Sequence, residues 1–183
     1  GLPVINRSTD GFATVNTSVS LPVSIGVQPP AANDFCRNQA FYDLLIGMNP
    51  TNDNEVYVGG IEIFRTTTAF TGTTSAMWTQ HTDWRVNPTD TGNTAANSLD
   101  GVHSDHHVIA FAPGLSSRVV FGNDGGIYYS NDSGNSIGVR NNGYNVTQFY
   151  KGAINQTGTQ KLLAGAQDNG SQLISPAPVG AGS

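Results

Sequence analysis

The 183-residue sequence predicts an all-β protein built from tandem antiparallel sheet modules. Three observations carry that expectation. Helical periodicity is nearly absent, and short apolar runs at 55–59 (EVYVG), 61–64 (IEIF) and 118–122 (RVVFG) sit between clusters of Gly, Asn, Asp and Pro. Segments of the chain resemble one another at a fixed internal spacing. A short motif able to close a hairpin on itself recurs after these segments.

The spacing comes first. In IGMNPTNDNEVYVGGIEIFRT, which starts at Ile46, Pro50 is followed nine positions later by Gly59. In IAFAPGLSSRVVFGNDGGIYYS, from Ile109, Pro113 is followed by Gly122 at the same distance. A third copy, AINQTGTQKLLAGAQDNGSQLIS from Ala153, puts Gln156 in place of the proline and reaches Gly165 after nine positions. Each copy reads as strand, tight turn, strand, Gly-rich turn, strand.

Behind the second copy, Ser130 to Ile137 fits the pattern S-x-D-x-G-x-[ST]-[aromatic or apolar]. A Ser hydroxyl and an Asp carboxylate can accept backbone N–H bonds inside such a turn, and Gly supplies a positive φ. Ser130, Asp132 and Gly134 therefore read as structural. Arg7 to Gly11 carries a relative of the motif, with Ser8 and Asp10, that reads as one residue short. A degenerate version without Asp runs from Arg65 towards Trp78.

These hairpins, with VHSDHHVIAFAP (102–113), GNDGGIYYS (122–130), TQFY (147–150) and AGAQDNGS (164–171), resemble the Asp-box β-propellers. That group includes sialidases, xyloglucanase-like glycoside hydrolases and the sortilin-type propeller. The resemblance covers most of residues 36–175 and implies a partial β-propeller of about three four-stranded blades. On that plan residues 1–30 form a partial blade, with a third strand at 2–8 and a fourth at 19–24. A blade with a long polar loop at 83–105 spans 36–105, an Asp-box blade spans 106–141, a partial blade spans 147–175, and 176–183 is a tail. About thirteen strands result, against roughly sixteen for a four-bladed ring. The expectation is an excerpt of a longer chain, completed by the remaining blades of a parent chain or by a self-associated ring.

Composition excludes several classes. Eight Lys+Arg against thirteen Asp+Glu give a formal charge of −5, whereas nucleic-acid binding requires a basic stripe. No run approaches the roughly 18 to 20 apolar residues of a membrane span, and GLPVINRSTD has neither a charged nor an apolar signal region. Neither nucleic acid nor membrane insertion is expected. Cys36 is the single cysteine, which precludes an intrachain disulfide framework. Two lysines among abundant Asn, Thr, Ser and Gly point to a secreted or cell-surface protein.

In an up-and-down blade, connections between strands two and three share an end with those leading into the next blade. The turns at 123–126 and 166–170 and the loop at 83–105 therefore fall on one face, opposite the Ser-Asp hairpins. The loop is the largest departure from repeat length: Pro50 to Pro113 spans 63 positions, against 43 from Pro113 to Gln156. It ends in His103, Asp105, His106 and His107. His103 and Asp105 are candidate ligands for a divalent cation, set against a plain hydrogen-bonding role. Strand alternation sends His106 and His107 to opposite faces.

Asp105, Asp124 and Asp168 are the candidate catalytic carboxylates. Glycoside hydrolysis needs two, about 5 to 5.5 Å apart for retention or roughly 6.5 to 9.5 Å for inversion. Asp124 and Asp168 also suit the turns that hold them, where Asp caps its own backbone. Asp43, Trp84, His103, His106, Gln167 and Asn169 complete the candidate ligand-binding set. An arginine cluster of the kind the resemblance implies for sialidases is not expected, because Arg7, Arg65 and Arg118 favour the hairpin end. The expected function is recognition of a glycan or an extracellular protein. Glycoside hydrolysis by paired aspartates and sortilin-like peptide binding are the alternatives.

Overall fold

The computed structural model describes residues 2–24, 34–86, 99–144, 146–156 and 161–175. The chain divides into two units, Gly1–Asn141 and Asn142–Ser183. In the first, one antiparallel sheet runs in chain order through β1 (Leu45–Asn49), β2 (Asn52–Gly59), β3 (Ile63–Thr66) and β4 (Thr79–Gln80). A second does the same through β5 (His106–Ala112), β6 (Leu115–Asn123), β7 (Gly126–Ser130) and β8 (Gly138–Val139). The second unit holds a three-stranded sheet of β9 (Phe149–Ile154), β10 (Leu162–Ala166) and β11 (Ser171–Ile174), with β10 in the centre. The protein is thus all-β. Among the described residues the only helix is a 3₁₀ turn, Ser75–Met77, and none is long and apolar enough to cross a membrane.

Alternation along the strands builds the core of the first unit. Tyr57 and Ile63 turn to one face of the first sheet and meet Val119, Phe121 and Tyr128 of the second, with Leu45, Val102 and Ile137. Their neighbours Val58 and Phe64 turn to the other face, against Ile5, Val19, Phe35, Cys36 and Trp78. A sheet covered on both faces needs a nearly unbroken apolar run, and 55–59 supplies one. Val120, between two fully buried residues, is 38% exposed, so at that strand the second sheet is covered on one face only. Each fully buried Phe or Ile contributes roughly 1.5–3 kcal/mol.

The N-terminal expectation fails in part. No strand forms at 2–8 or at 19–24; a single antiparallel bridge, Arg7↔Asn16, joins the ends of the Ser8-Asp10 turn. Pro3 and Pro22 lack the N–H that a ladder needs. The described strands number eleven rather than thirteen, and residues 25–30, 87–98 and 176–183 lie outside the described residues. Trp78 follows the 3₁₀ turn and donates its indole N–H to the Ser20 carbonyl at 2.8 Å. Phe149 and Tyr150 are 46% and 64% exposed on β9.

The exit of the long loop is core rather than polar surface. Leu99, Asp100 and Val102 are buried. Asp83 N–H donates to the Asp100 carbonyl and Asp100 N–H to the His81 carbonyl, while the Asp100 carboxylate accepts the Ile137 N–H.

Two turns carry the same side-chain bonds. The Asp132 carboxylate accepts the Ser136 N–H at 2.9 Å, the Ser136 hydroxyl at 2.6 Å and the Ser130 hydroxyl at 2.8 Å. The Ser130 oxygen in turn accepts the Gly134 N–H at 2.8 Å. In the N-terminal turn Asp10 takes the Thr14 N–H, the Thr14 hydroxyl and the Ser8 hydroxyl at 2.9, 2.6 and 2.9 Å, and Ser8 takes the Phe12 N–H at 2.8 Å. This turn is therefore not one residue short: it has the full length, with Phe12 where the other has Gly134. At Thr66 and Thr68 the degenerate version shares the backbone path, since Ala69 and Phe70 have φ of 49° and 60°.

Candidate functional site

Antiparallel order sets the starts of β1 and β5 at the same end as the β2–β3 and β6–β7 turns. Asp43 precedes β1, Asp105 precedes β5 and Asp124 occupies the β6–β7 turn. The His106 N–H donates to the Gly60 carbonyl at 2.9 Å, tying the start of β5 to the β2–β3 connection of the other sheet. The first strands of the two sheets, β1 and β5, run close together: a Cβ on Gly47 would lie 2.3 Å from Ile109 Cγ2.

These connections bring Asp105 near Asp124 and, separately, against Asp43. Oxygens of Asp105 and Asp124 lie within 4.8 Å of each other. Asp43 is fully buried and abuts Asp105. Burial, and after it the charge of Asp105, pushes the Asp43 carboxyl up to about 7. Asp124 is held from the other side. It accepts the Tyr42 hydroxyl at 2.9 Å and the His107 Nε2–H at 2.7 Å, and the Tyr42 and His107 rings meet edge to face with centroids 4.8 Å apart. Tyr42 keeps 43% of its surface exposed.

The histidines separate as alternation requires. His106, expected to meet a ligand, is fully buried, and burial drives its imidazole down to about 3. His107 takes the surface position instead. His103, the other expected cation ligand, has Nδ1 3.1 Å from the Ser104 carbonyl, while its own carbonyl accepts the Asn123 amide at 2.7 Å.

A second polar centre lies at the same end of the first sheet. Glu62, in the β2–β3 connection and 3% exposed, accepts the Thr82 hydroxyl at 2.7 Å and the Trp84 N–H at 3.1 Å. Burial pushes its carboxyl up to about 8. Trp84, half exposed, thus has its backbone fixed by Glu62. Spacing signals Glu62: it stands three positions after Gly59, as Asp168 does after Gly165. Tyr42 and His107 had no comparable signal beyond adjacency to Asp43 and His106.

In the second unit Asp168 has φ of 53° in a turn closed by the Ala166 N–H bond to the Gly170 carbonyl at 2.8 Å. The Gln167 N–H donates to the Gln148 carbonyl at 3.0 Å, and the Asn169 amide to the Gln167 carbonyl at 3.0 Å. Cys36 is fully buried, and burial followed by the charges of Asp43 and Asp34 pushes its thiol up to about 12.

Compared with known proteins, the sequence matches no family model and no curated protein.

Proposed function

We propose that the chain is a segment of an extracellular Asp-box β-propeller that recognises a glycan at the end carrying Tyr42, His107 and Asp124. The propeller reading is supported by the common bonding of the Ser8-Asp10 and Ser130-Asp132 turns and by three sheets whose strands follow chain order or a simple meander. The observation that carries the binding reading is the Tyr42–Asp124–His107 triangle. It presents a half-exposed aromatic ring whose hydroxyl and edge are both held. A fixed ring offers its π face to the apolar face of a sugar at little entropic cost, and a carboxylate beside it accepts sugar hydroxyls.

One observation favours hydrolysis as a second reading: the Asp105 and Asp124 oxygens, within 4.8 Å, are near the separation of about 5 to 5.5 Å used by retaining glycosidases. A glycan panel tests both readings. Recognition predicts retention of a glycan by the wild type, weakened roughly ten-fold or more in Tyr42→Ala, with no turnover. Release of reducing ends by the wild type, abolished in Asp105→Asn and Asp124→Asn, would replace recognition with hydrolysis. Binding to no member of the panel rejects both.

A further inference from the structure

We propose that copies of this chain associate head to tail, the β1 face carrying Ile46 and Met48 in one copy receiving the β10–β11 face carrying Leu163 and Leu173 in the next. The contact goes beyond glycan recognition and does not rest on it.

The internal repeat supplies the first argument. Ile109 and Phe111 stand four and two positions before Pro113 and pack against the core cluster that contains Tyr57, the Phe111 and Tyr57 ring centroids lying 5.7 Å apart. Ile46 and Met48 stand four and two positions before Pro50. They are thus the counterparts of Ile109 and Phe111 in the first sheet, yet they are 62% and 59% exposed. Pairing with Val58 and Val56 sets them on the face away from Tyr57. There Ile5, Val19 and Phe35 bury Val58 but leave β1 bare, beside a cavity of about 340 Å³ lined by Val4, Leu44 and Ile46.

The second unit supplies the complement. Tyr57, on which the contact between the first two sheets rests, stands two positions before Gly59, and Leu163 stands two before Gly165. Leu173 is its cross-strand partner, and the two are 51% and 62% exposed. The apolar face of a sheet has to be buried against another layer, and an open apolar patch marks where a partner docks. Val120, two before Gly122, holds the same register in the second sheet. It is only 38% exposed, and Arg140 lies over the ring of its partner Tyr129, so less apolar surface is open there.

Charge agrees with this pairing. The two lysines of the chain both border the donor face, Lys151 opposite Gly165 and Lys161 two positions before Leu163. Asp53 lines the hollow beside Met48 on the receiving face. Opposite charges at the margins of two apolar faces favour this pairing over either face with itself. Because the two faces differ, the contact is heterologous, and assembly proceeds past two copies until it closes.

The full chain is examined by light scattering and sedimentation across a range of concentrations. The wild type is expected to exceed the monomer mass and to grow with concentration. Met48→Lys and Leu163→Lys, both at exposed positions, should each weaken association roughly ten-fold or more without moving the melting curve of the dilute protein. Val146→Lys, 70% exposed and outside both faces, should leave association unchanged. Mixing the two single variants is decisive, since each keeps the face that the other has lost. A pair containing one of each is expected, while either variant alone stays monomeric. A wild type that is monomeric throughout, undiminished association in a folded Met48→Lys or Leu163→Lys variant, an equal loss in Val146→Lys, or a mixture that stays monomeric overturns the proposal. No glycan enters these measurements, so failure here leaves the recognition reading standing, and the reverse also holds.

Discussion

Phe12 occupies, at a φ of 71°, the turn position that Gly134 holds at 77° in the second Ser-Asp hairpin. A left-handed conformation costs a non-Gly residue roughly 1–2 kcal/mol, and a β-carbon is the cause. Phe12 is 83% exposed, so little burial offsets that strain. Phe12→Gly is expected to stabilise the protein by up to about 1 kcal/mol once the entropy of glycine is deducted. For a chain of this size that corresponds to a rise of about 2–4 °C in melting temperature. A lowered melting temperature would mean that the Phe12 ring contributes more through contacts than its backbone loses.

The Ser130-Asp132 hairpin is expected to matter more than its N-terminal counterpart. Its Ser133 carbonyl accepts both the Tyr57 hydroxyl, at 2.8 Å, and the Arg65 guanidinium, and its Gly134 carbonyl accepts His81 Nδ1–H. The turn therefore docks the second sheet onto the first. Asp132→Ala removes the acceptor for Ser136 and Ser130 and should cost roughly 1–2 kcal/mol in urea unfolding. Asp10→Ala should cost less, since its turn is exposed around Phe12 whereas the turn around Gly134 is buried. Equal losses would show that docking adds nothing to the second hairpin.

How much of this was legible follows from which forces are local. The strands of the two four-stranded sheets were readable because the short apolar runs at 55–59 and 118–122 are bounded by Gly, Asn, Asp and Pro and recur at a fixed spacing. The hairpins were readable because Ser130 and Asp132 satisfy groups two to four residues away. Strands at 2–8 and 19–24 were misread, since apolar residues there are recruited by packing: Ile5 and Val19 join the Phe35 and Trp78 cluster without any ladder. Convergence of Asp105 and Asp124 could be inferred from blade topology. The Tyr42 and His107 bonds to Asp124 could not, because they span 82 and 17 positions and depend on how two sheets meet.

Buried Glu62 gives the protein a pH dependence of definite sign. Its carboxyl, ordinarily at 4.5, is pushed up to about 8 by burial, with Asp83 adding to the rise and Thr82, the Trp84 N–H and Arg85 opposing it. The folded state therefore holds a proton that the unfolded state releases. The stabilisation is complete below 4.5 and is lost as pH rises through 8, at up to roughly 1.4 kcal/mol per pH unit. His81 and His106, lowered to about 4 and 3, act in the opposite sense and lose their contribution as pH falls below 6.5. Between 6.5 and 8 the shifts of His81 and His106 add nothing to the slope, to which Glu62 and Asp43 contribute. Glu62→Gln keeps an acceptor for Thr82 without the charge. It should reduce the fall in urea stability over that interval, and an unchanged slope would assign the dependence to other groups.

The approach of β1 to β5 rests on Gly47. A Cβ there would lie 2.3 Å from Ile109 Cγ2 and 3.5 Å from its Cβ, so the methyl branch of Ile109 occupies the space that a side chain would need. Gly47→Ala should destabilise by about 1–3 kcal/mol through overpacking. Ile109→Ala alone should also destabilise, since Ile109 packs against the cluster of Tyr57 and Phe121. If the two strands are neighbours as described, the double variant recovers part of the loss, and the coupling between the two changes exceeds about 0.5 kcal/mol. Strict additivity would place Gly47 and Ile109 apart. It would also remove the proximity of the two strand starts on which the meeting of Asp43 with Asp105 depends.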